Sequence, residues 1–219
     1  MRYVTIPQTD LAPSAICLGS ADLGSTVSRE TTFAMFDLFR DLGGNMIDTA
    51  AVYANWLPGE RNISEKTIGA WLKVRGGRDR LILATKGAHP DLASMSTPRM
   101  SRAEIESDLN QSLRNLGVET IDLYYLHRDA PTYPVEEIMD TLRAQVAAGK
   151  VRYVGCSNWH VERIRAARDY AASQGWAGFV ADQPLWNLAV VDYAAIGDPT
   201  LAVMDDALWQ YHREQNLAA

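Results

Sequence analysis

Short apolar runs alternate with longer amphipathic stretches along most of the chain, and the two kinds of stretch are punctuated differently. Apolar runs that barely alternate occur at residues 15–19, 45–48, 81–86, 121–127, 151–156 and 178–182. Such runs suit strands covered on both faces, as in a parallel sheet with helices on one side and a packed interior on the other. Between them the apolar residues recur at helical spacing. Ser101 and Glu104 have the S-x-x-E spacing of a capping box ahead of Ile105, Leu109, Leu113 and Leu116, with Gly117 as the stop. Asn62 and Glu65 repeat that spacing before Ile68 and Leu72, and Gly76 and Gly77 follow. Pro134 suits a first helical position before Ile138, Leu142 and Val146. Phe33, Phe36 and Phe39 lead to Gly43, Val161 and Ile164 open a helix reaching about Ser173, and residues 200–215 predict a last helix with Leu201, Met204, Leu208 and Tyr211 inward. Residues 3–5 and the turn at 7–10 predict a small hairpin that caps the bottom of the sheet.

Six β/α units in series, without a linker or low-complexity run, predict an α/β fold in one domain over residues 1–219. Eight units close a (β/α)8 TIM barrel, typically in about 250 residues. This sequence reaches Asn216–Ala219 where a seventh strand would begin, so the expectation is a C-terminally incomplete barrel with an N-terminal hairpin. A doubly wound open sheet fits the count of units equally well. Against it, no G-x-G-x-x-G follows the first strand, where Ser20 to Gly24 read S-A-D-L-G. The polar residues also fall at the C-terminal ends of the strands, where barrel enzymes place their chemistry.

Composition narrows the partners. A net charge of −6 opposes a nucleic-acid or anionic-membrane surface, both of which need clustered Lys and Arg. No apolar leader and no long uncharged span is present. Cys17 and Cys156 are too few for a disulfide framework and read as buried free thiols of a cytoplasmic protein.

The strand ends supply Asp48, Lys86, His127, Ser157 with Asn158, and Gln183, and Tyr53 follows in the second loop. In a parallel barrel these converge on one mouth. A buried lysine without a partner loses its proton, whereas one paired with Asp48 keeps its charge and assists proton donation by a nearby phenol. Each residue also has a plainer reading: Asp48 as a cap, Tyr53 as a packed aromatic, Lys86 as a solvated charge or a Schiff-base lysine, and His127 as a satisfied strand-end histidine. Asn158, with Ser157, reads equally as a cap for a helix starting at His160.

Five segments carry a more specific signal. M-I-D-T-A-A-V-Y from Met46 to Tyr53 with S-E-K-T-I-G from Ser64 to Gly69, A-T-K-G from Ala84, I-D-L-Y-Y-L-H ending at His127, G-C-S-N ending at Asn158, and D-Q-P-L-W-N from Asp182 occur in that order. Together they resemble the aldo-keto reductase family. The resemblance implies an oxidoreductase that reduces an aldehyde, ketone or sugar carbonyl, with NADPH, or NADH as the alternative, as cofactor and no metal. It implies Tyr53 as the acid, Asp48 and Lys86 as its tuning pair, His127 as a carbonyl-positioning group, and Ser157, Asn158 and Gln183 as ligands of the nicotinamide carboxamide. The loop at residues 53–61 is longer than the family's usual glycine-rich version and would bring Trp56 toward the substrate mouth, where it reads equally as a substrate wall or as solvent-side packing. The family's nicotinamide-stacking aromatic and phosphate contacts belong to units beyond the sixth. Two other functional classes stay open at this point: a non-catalytic nucleotide-binding regulatory subunit like those of potassium channels, and an inactive truncated reductase.

Overall fold

A computed structural model describes residues 1–189 and 191–219. Its six strands are β1 (Leu18–Gly19), β2 (Met46–Asp48), β3 (Ile82–Gly87), β4 (Ile121–Leu126), β5 (Val151–Ser157) and β6 (Phe179–Gln183). The helices between and after them are α1 (Arg29–Asp41), α2 (Ile63–Arg75), α3 (Arg102–Leu116), α4 (Val135–Ala147), α5 (Val161–Ser173) and α6 (Asp206–Gln215). All neighbouring strands pair in parallel, in the order β1-β2-β3-β4-β5-β6. No strand order reverses, so the doubly wound alternative is set aside.

The sheet curls. Gln183 at the end of β6 donates through Nε2 to Asp48 Oδ1 at the end of β2, 3.3 Å away. Four strand spacings separate these strands, about 19 Å in a flat sheet, and only a barrel-like curl brings the two side chains together. The architecture is a parallel six-stranded partial barrel with helices outside. At the far edge, Asp182 N–H donates to Ala218 O at 2.9 Å, and Ala181 and Ala218 form a parallel bridge beside β6.

Two apolar layers follow from the strand alternation. Ile47, Leu83, Tyr124, Val154 and Phe179 point outward and pack against Phe36, Ile68, Trp71, Ile105, Leu109, Leu142 and Ile164 of the helices. Met46, Ile82, Ala84, Leu123, Tyr125 and Ala181 point into the barrel. The N-terminal hairpin plugs the bottom of this inner layer with Ile6 and Leu11, held by Val4 N–H to Pro13 O and Ile6 N–H to Leu11 O.

Several local expectations are corrected. The helix predicted over residues 200–215 starts only at Asp206, because Asp205 caps it by accepting from Leu208 N–H at 2.8 Å. Leu201 and Met204 therefore precede it. Asn62 is left-handed (φ 60°) and does not cap α2; its amide instead donates to Ala51 O at 2.7 Å. Pro134 sits one position before the first turn of α4, and His160, not Asn158, occupies the cap position of α5. Cys17 is exposed, since it adjoins the short strand at the edge of the sheet, whereas Cys156 is buried. The capping box of Ser101 and Glu104 forms as predicted.

Helices α2 and α3 approach closely at Gly69, where a Cβ would stand 2.3 Å from Asn115 O and 2.9 Å from Leu116 O. Alanine normally favours a helix over glycine by about 1 kcal/mol. Here the added methyl meets backbone that cannot swing aside, and the sign reverses. Gly69→Ala is expected to destabilise the fold by about 1–3 kcal/mol, read as a lower urea midpoint; a midpoint at or above the parent's would contradict the close packing.

Candidate active site

The upper rim carries the polar strand ends. Asp48 closes β2, Lys86 is next to last in β3, His127 directly follows β4, Ser157 closes β5 and Gln183 closes β6. Their strands place them at one level. Beneath them, hydroxyls fix the loop after β2: Ser20 Oγ donates to Asp48 O, Ser64 Oγ donates to Ser20 O, both at 2.8 Å, and Thr49 Oγ1 lies 2.8 Å from Ser64 Oγ. Glu65 is fully buried and accepts from Thr85 Oγ1 (2.7 Å) and Asn115 Nδ2 (2.8 Å), tying α2 to β3 and α3. Burial pushes its carboxyl above the usual carboxylate range.

The Lys86 ammonium lies at the centre. It contacts Asp48 Oδ2 at 2.6 Å, Thr49 O at 2.9 Å and the Tyr53 hydroxyl at 3.0 Å. These three acceptors use all three of its protons. Burial by itself pulls a lysine's proton affinity down; the adjacent Asp48 carboxylate and Tyr53 oxygen outweigh it, and the affinity rises above the ordinary lysine value. Lys86 is thus a fixed cation with its third proton aimed at a phenol.

The Tyr53 ring stands edge-on to His127, with centroids 5.9 Å apart, and to Trp56 at 6.4 Å. His127 is buried, and its Nδ1 has no hydrogen-bond partner among the described residues. Burial first, then the Lys86 charge, the neighbouring His89 ring and the Arg128 charge, hold its proton affinity well below the imidazole range. The ring is neutral. A proton on the buried Nδ1 would have no acceptor among the described residues, which favours the tautomer with the single proton on Nε2.

Ser157, Asn158 and Gln183 come together across β5 and β6. Ser157 Oγ donates to Gln183 O at 2.7 Å. Asn158, left-handed at φ 61°, donates through Nδ2 to Ser157 Oγ (3.0 Å) and His127 O (3.2 Å), and its Oδ1 accepts from Ala202 N–H at 3.3 Å. A cavity of about 490 Å3 opens beside this rim, lined by Tyr53, Trp56, His89, His127, Arg128 and Pro199 among others. Trp56 is half exposed at its edge.

The strand ends singled out in the sequence meet at one rim, whereas several of their neighbours were not foreseen. His89 stacks edge-on against His127 at 4.8 Å; a histidine three residues after Lys86 was the available signal. Arg128 binds Thr200 Oγ1 (2.9 Å) and Asp198 (3.4 Å), and carries the segment after β6 over the mouth. Asp182 and His212 pair inside the wall at 3.1 Å. These pairs span 30 to 72 residues, and no local spacing announces them.

Comparison with known proteins gives the family. The model of the Aldo/keto reductase family matches residues 15–196. The chain belongs to this family. It is 32% identical over 203 residues to an aryl-alcohol dehydrogenase [NADP(+)] of Phanerodontia chrysosporium, covering 85% of this chain and 51% of that protein. It is 33% identical over 205 residues to a norsolorinic acid reductase of Emericella nidulans, with 87% and 51% covered. An uncharacterized oxidoreductase of Bacillus subtilis shares 32% over 197 residues, with 86% and 59% covered. This aldo/keto reductase chain thus spans about half the length of the curated relatives it matches. Among the described residues, no helix is long and apolar enough to cross a membrane.

The neutral His127 makes stability depend on pH in a defined direction. Its folded-state proton affinity lies below the unfolded value of about 6.5. The unfolded chain therefore binds more protons below that pH, and the contribution is present above about pH 6.5 and lost as pH falls below it. One such group changes stability by at most about 1.4 kcal/mol per pH unit. Between about pH 7.5 and about pH 5.5, a window that brackets the ordinary histidine titration, the parent should lose more urea stability than His127→Phe. Equal losses would show that His127 protonates freely in the fold.

Proposed function

We propose that this aldo/keto reductase reduces a small aldehyde, ketone or sugar carbonyl to the alcohol, using NADPH and with Tyr53 as proton donor. The observation that carries the reading is the Lys86 ammonium held between Asp48 Oδ2 at 2.6 Å and the Tyr53 hydroxyl at 3.0 Å. A bare packing role for Tyr53 does not call for a buried cation at its oxygen.

The rim residues fit an amide-bearing cofactor ring. Two side-chain amides, Asn158 and Gln183, stand on the same rim as Tyr53, and Gln183 Oε1 makes no hydrogen bond among the described residues. Asn158 Oδ1 has only the long 3.3 Å contact from Ala202 N–H, which a ligand N–H can replace. In this reading Asn158 and Gln183 hold the carboxamide of the nicotinamide, and Ser157 braces them. The nicotinamide, when bound, supplies the hydride. NADPH is preferred to NADH because one relative carries NADP(+) in its name.

The chain's own groups handle the oxygen. Tyr53 gives its hydroxyl proton to the carbonyl oxygen, which becomes the alcohol O–H. Lys86, fixed by Asp48 and Thr49 O, holds positive charge at the phenol oxygen as that proton leaves, the electrostatic stabilisation expected of a preorganised site. His127 Nε2–H donates to the same carbonyl oxygen and orients it toward Tyr53. Trp56 forms a wall of the substrate cavity. Residues 1–219 act as one domain in this reading, and the enzyme works in the cytoplasm, where free thiols such as Cys17 and Cys156 stay reduced.

Tyr53→Phe keeps the ring and removes the proton. General acid catalysis contributes about 10²–10⁴-fold, so kcat for NADPH-dependent reduction of a small aromatic aldehyde should fall by that factor, with NADPH affinity by fluorescence titration unchanged. Near-parent turnover would reassign the acid, His127 first. Asn158→Ala and Gln183→Ala should each weaken NADPH binding, by roughly fivefold to tenfold for a lost hydrogen bond; unchanged affinity in both would remove the carboxamide assignment.

A further inference from the structure

His89 lies outside the roles assigned above, yet it is 8% exposed, lines the cavity with Tyr53 and Trp56, and meets His127 edge-on at 4.8 Å. Its backbone is held by hydrogen bonds before and at the residue. The preceding Ala88 adopts a left-handed conformation, φ 57°, that a residue with a Cβ seldom takes. Ala88 N–H donates to Asp108 Oδ2 at 2.9 Å, and Arg99, which grips that same carboxylate at 2.7 and 3.0 Å, also donates to His89 O at 3.3 Å. Strained backbone held by the surrounding structure is characteristic of positions where one side chain must be aimed.

The aim is chemically defined. His89 Nδ1 lies 2.7 Å from Pro90 O. A carbonyl only accepts, so Nδ1 carries a proton. Burial lowers the ring's proton affinity, and the nearby Arg128 and Arg99 charges act in the same direction, opposed by the Pro90 carbonyl and Asp198. The ring is therefore neutral and Nε2 is a bare acceptor. His127 has the opposite tautomer, with the proton on Nε2. Two adjacent imidazoles thus offer the cavity one donor and one acceptor. The cavity has no free cation to match an anionic substrate among the described residues, since Arg128 is engaged by Asp198 and Thr200 and Lys86 by Asp48.

We propose that His89 is a specificity-determining residue whose Nε2 accepts a hydrogen bond from a hydroxyl that the substrate carries close to its carbonyl. This rests on the reductase reading of the site, with His127 donating to the carbonyl oxygen, and it narrows the substrate class to uncharged hydroxy-carbonyl compounds. An analogue with the hydroxyl capped by a methyl loses the donor and leaves the His89 acceptor without a partner, the situation in which a polar site discriminates best.

The test pairs 2-hydroxyacetophenone with 2-methoxyacetophenone on the full chain. In protein labelled with 15N-histidine and mixed with NADP+, His89 Nε2 should resonate as an unprotonated imidazole nitrogen, and 2-hydroxyacetophenone, unlike its methoxy analogue, should move that resonance. In turnover with NADPH the ratio of kcat/KM, hydroxy over methoxy, should be about tenfold or more in the parent. It should collapse in His89→Phe, which keeps a flat ring against His127, and recover partly in His89→Gln, whose amide oxygen still accepts. A protonated His89 Nε2, equal shifts with the two ketones, or a preference that persists in His89→Phe would each overturn the proposal. If a small aromatic aldehyde is reduced and neither ketone is, the proposed substrate class is overturned; if the aldehyde is not reduced either, the reductase reading fails by itself, and the nitrogen resonance still decides what His89 offers.

Discussion

A lysine ammonium taken out of water loses several kcal/mol of hydration, and it stays charged only if the protein replaces that hydration with well-placed partners. Lys86, 2% exposed, has all three protons engaged by Asp48, Thr49 O and Tyr53. That requirement reaches far into the fold. Asp48 must close β2 and Lys86 must near the end of β3, so the two strands have to pair in the observed register. The loop after β2 must turn Thr49 O toward β3, which the Ser20 and Ser64 hydroxyls accomplish. Glu65 ties α2 beneath this loop to Thr85, the neighbour of Lys86. Removing one member of a buried pair typically costs about 3–5 kcal/mol, so the fold and the site stand on the same contact.

The curl of the sheet follows from the inner layer. Gly155, Ala84 and Ala181 are small where Tyr125 is large, and a Cβ on Gly155 would stand 2.6 Å from the Tyr125 ring. Small residues beside a bulky one let the strands close around it, as layered barrel interiors require. Closure in turn brings Gln183 from the sixth strand to Asp48 on the second. The side chains proposed to hold a cofactor and those proposed to move a proton are thereby part of one hydrogen-bonded rim.

Much of this was legible in the chain because it is local. Strand ends at Asp48, Lys86 and Gln183 follow from short apolar runs closed by a polar residue, and the Ser101–Glu104 box and Gly117 mark α3 at both ends. The β/α alternation points to the parallel topology, and the five ordered motifs point to the family. What stayed hidden depends on distant partners. The helix predicted from Thr200 starts six residues later because Arg128, 72 positions away, draws Thr200 and Asp198 over the mouth and leaves Asp205 to cap. Asn62 has the spacing of a cap, but Ala51 O offers its amide a partner across the loop. His89 shows its role only through Pro90 O and its contact with His127.

Lys86 as a permanent cation, maintained by Asp48 and directed at Tyr53, is the point on which the proposed chemistry turns. Heteronuclear NMR of the lysine side chain, following Lys86 Nζ and Cε through a pH titration of the parent and of Asp48→Asn, tests it without relying on turnover. The parent should keep its proton beyond the ordinary lysine value, and Asp48→Asn should lose it at a markedly lower pH as burial takes over. A parent Lys86 that deprotonates below the ordinary lysine value, or one whose titration is the same with and without the Asp48 carboxylate, would contradict the account.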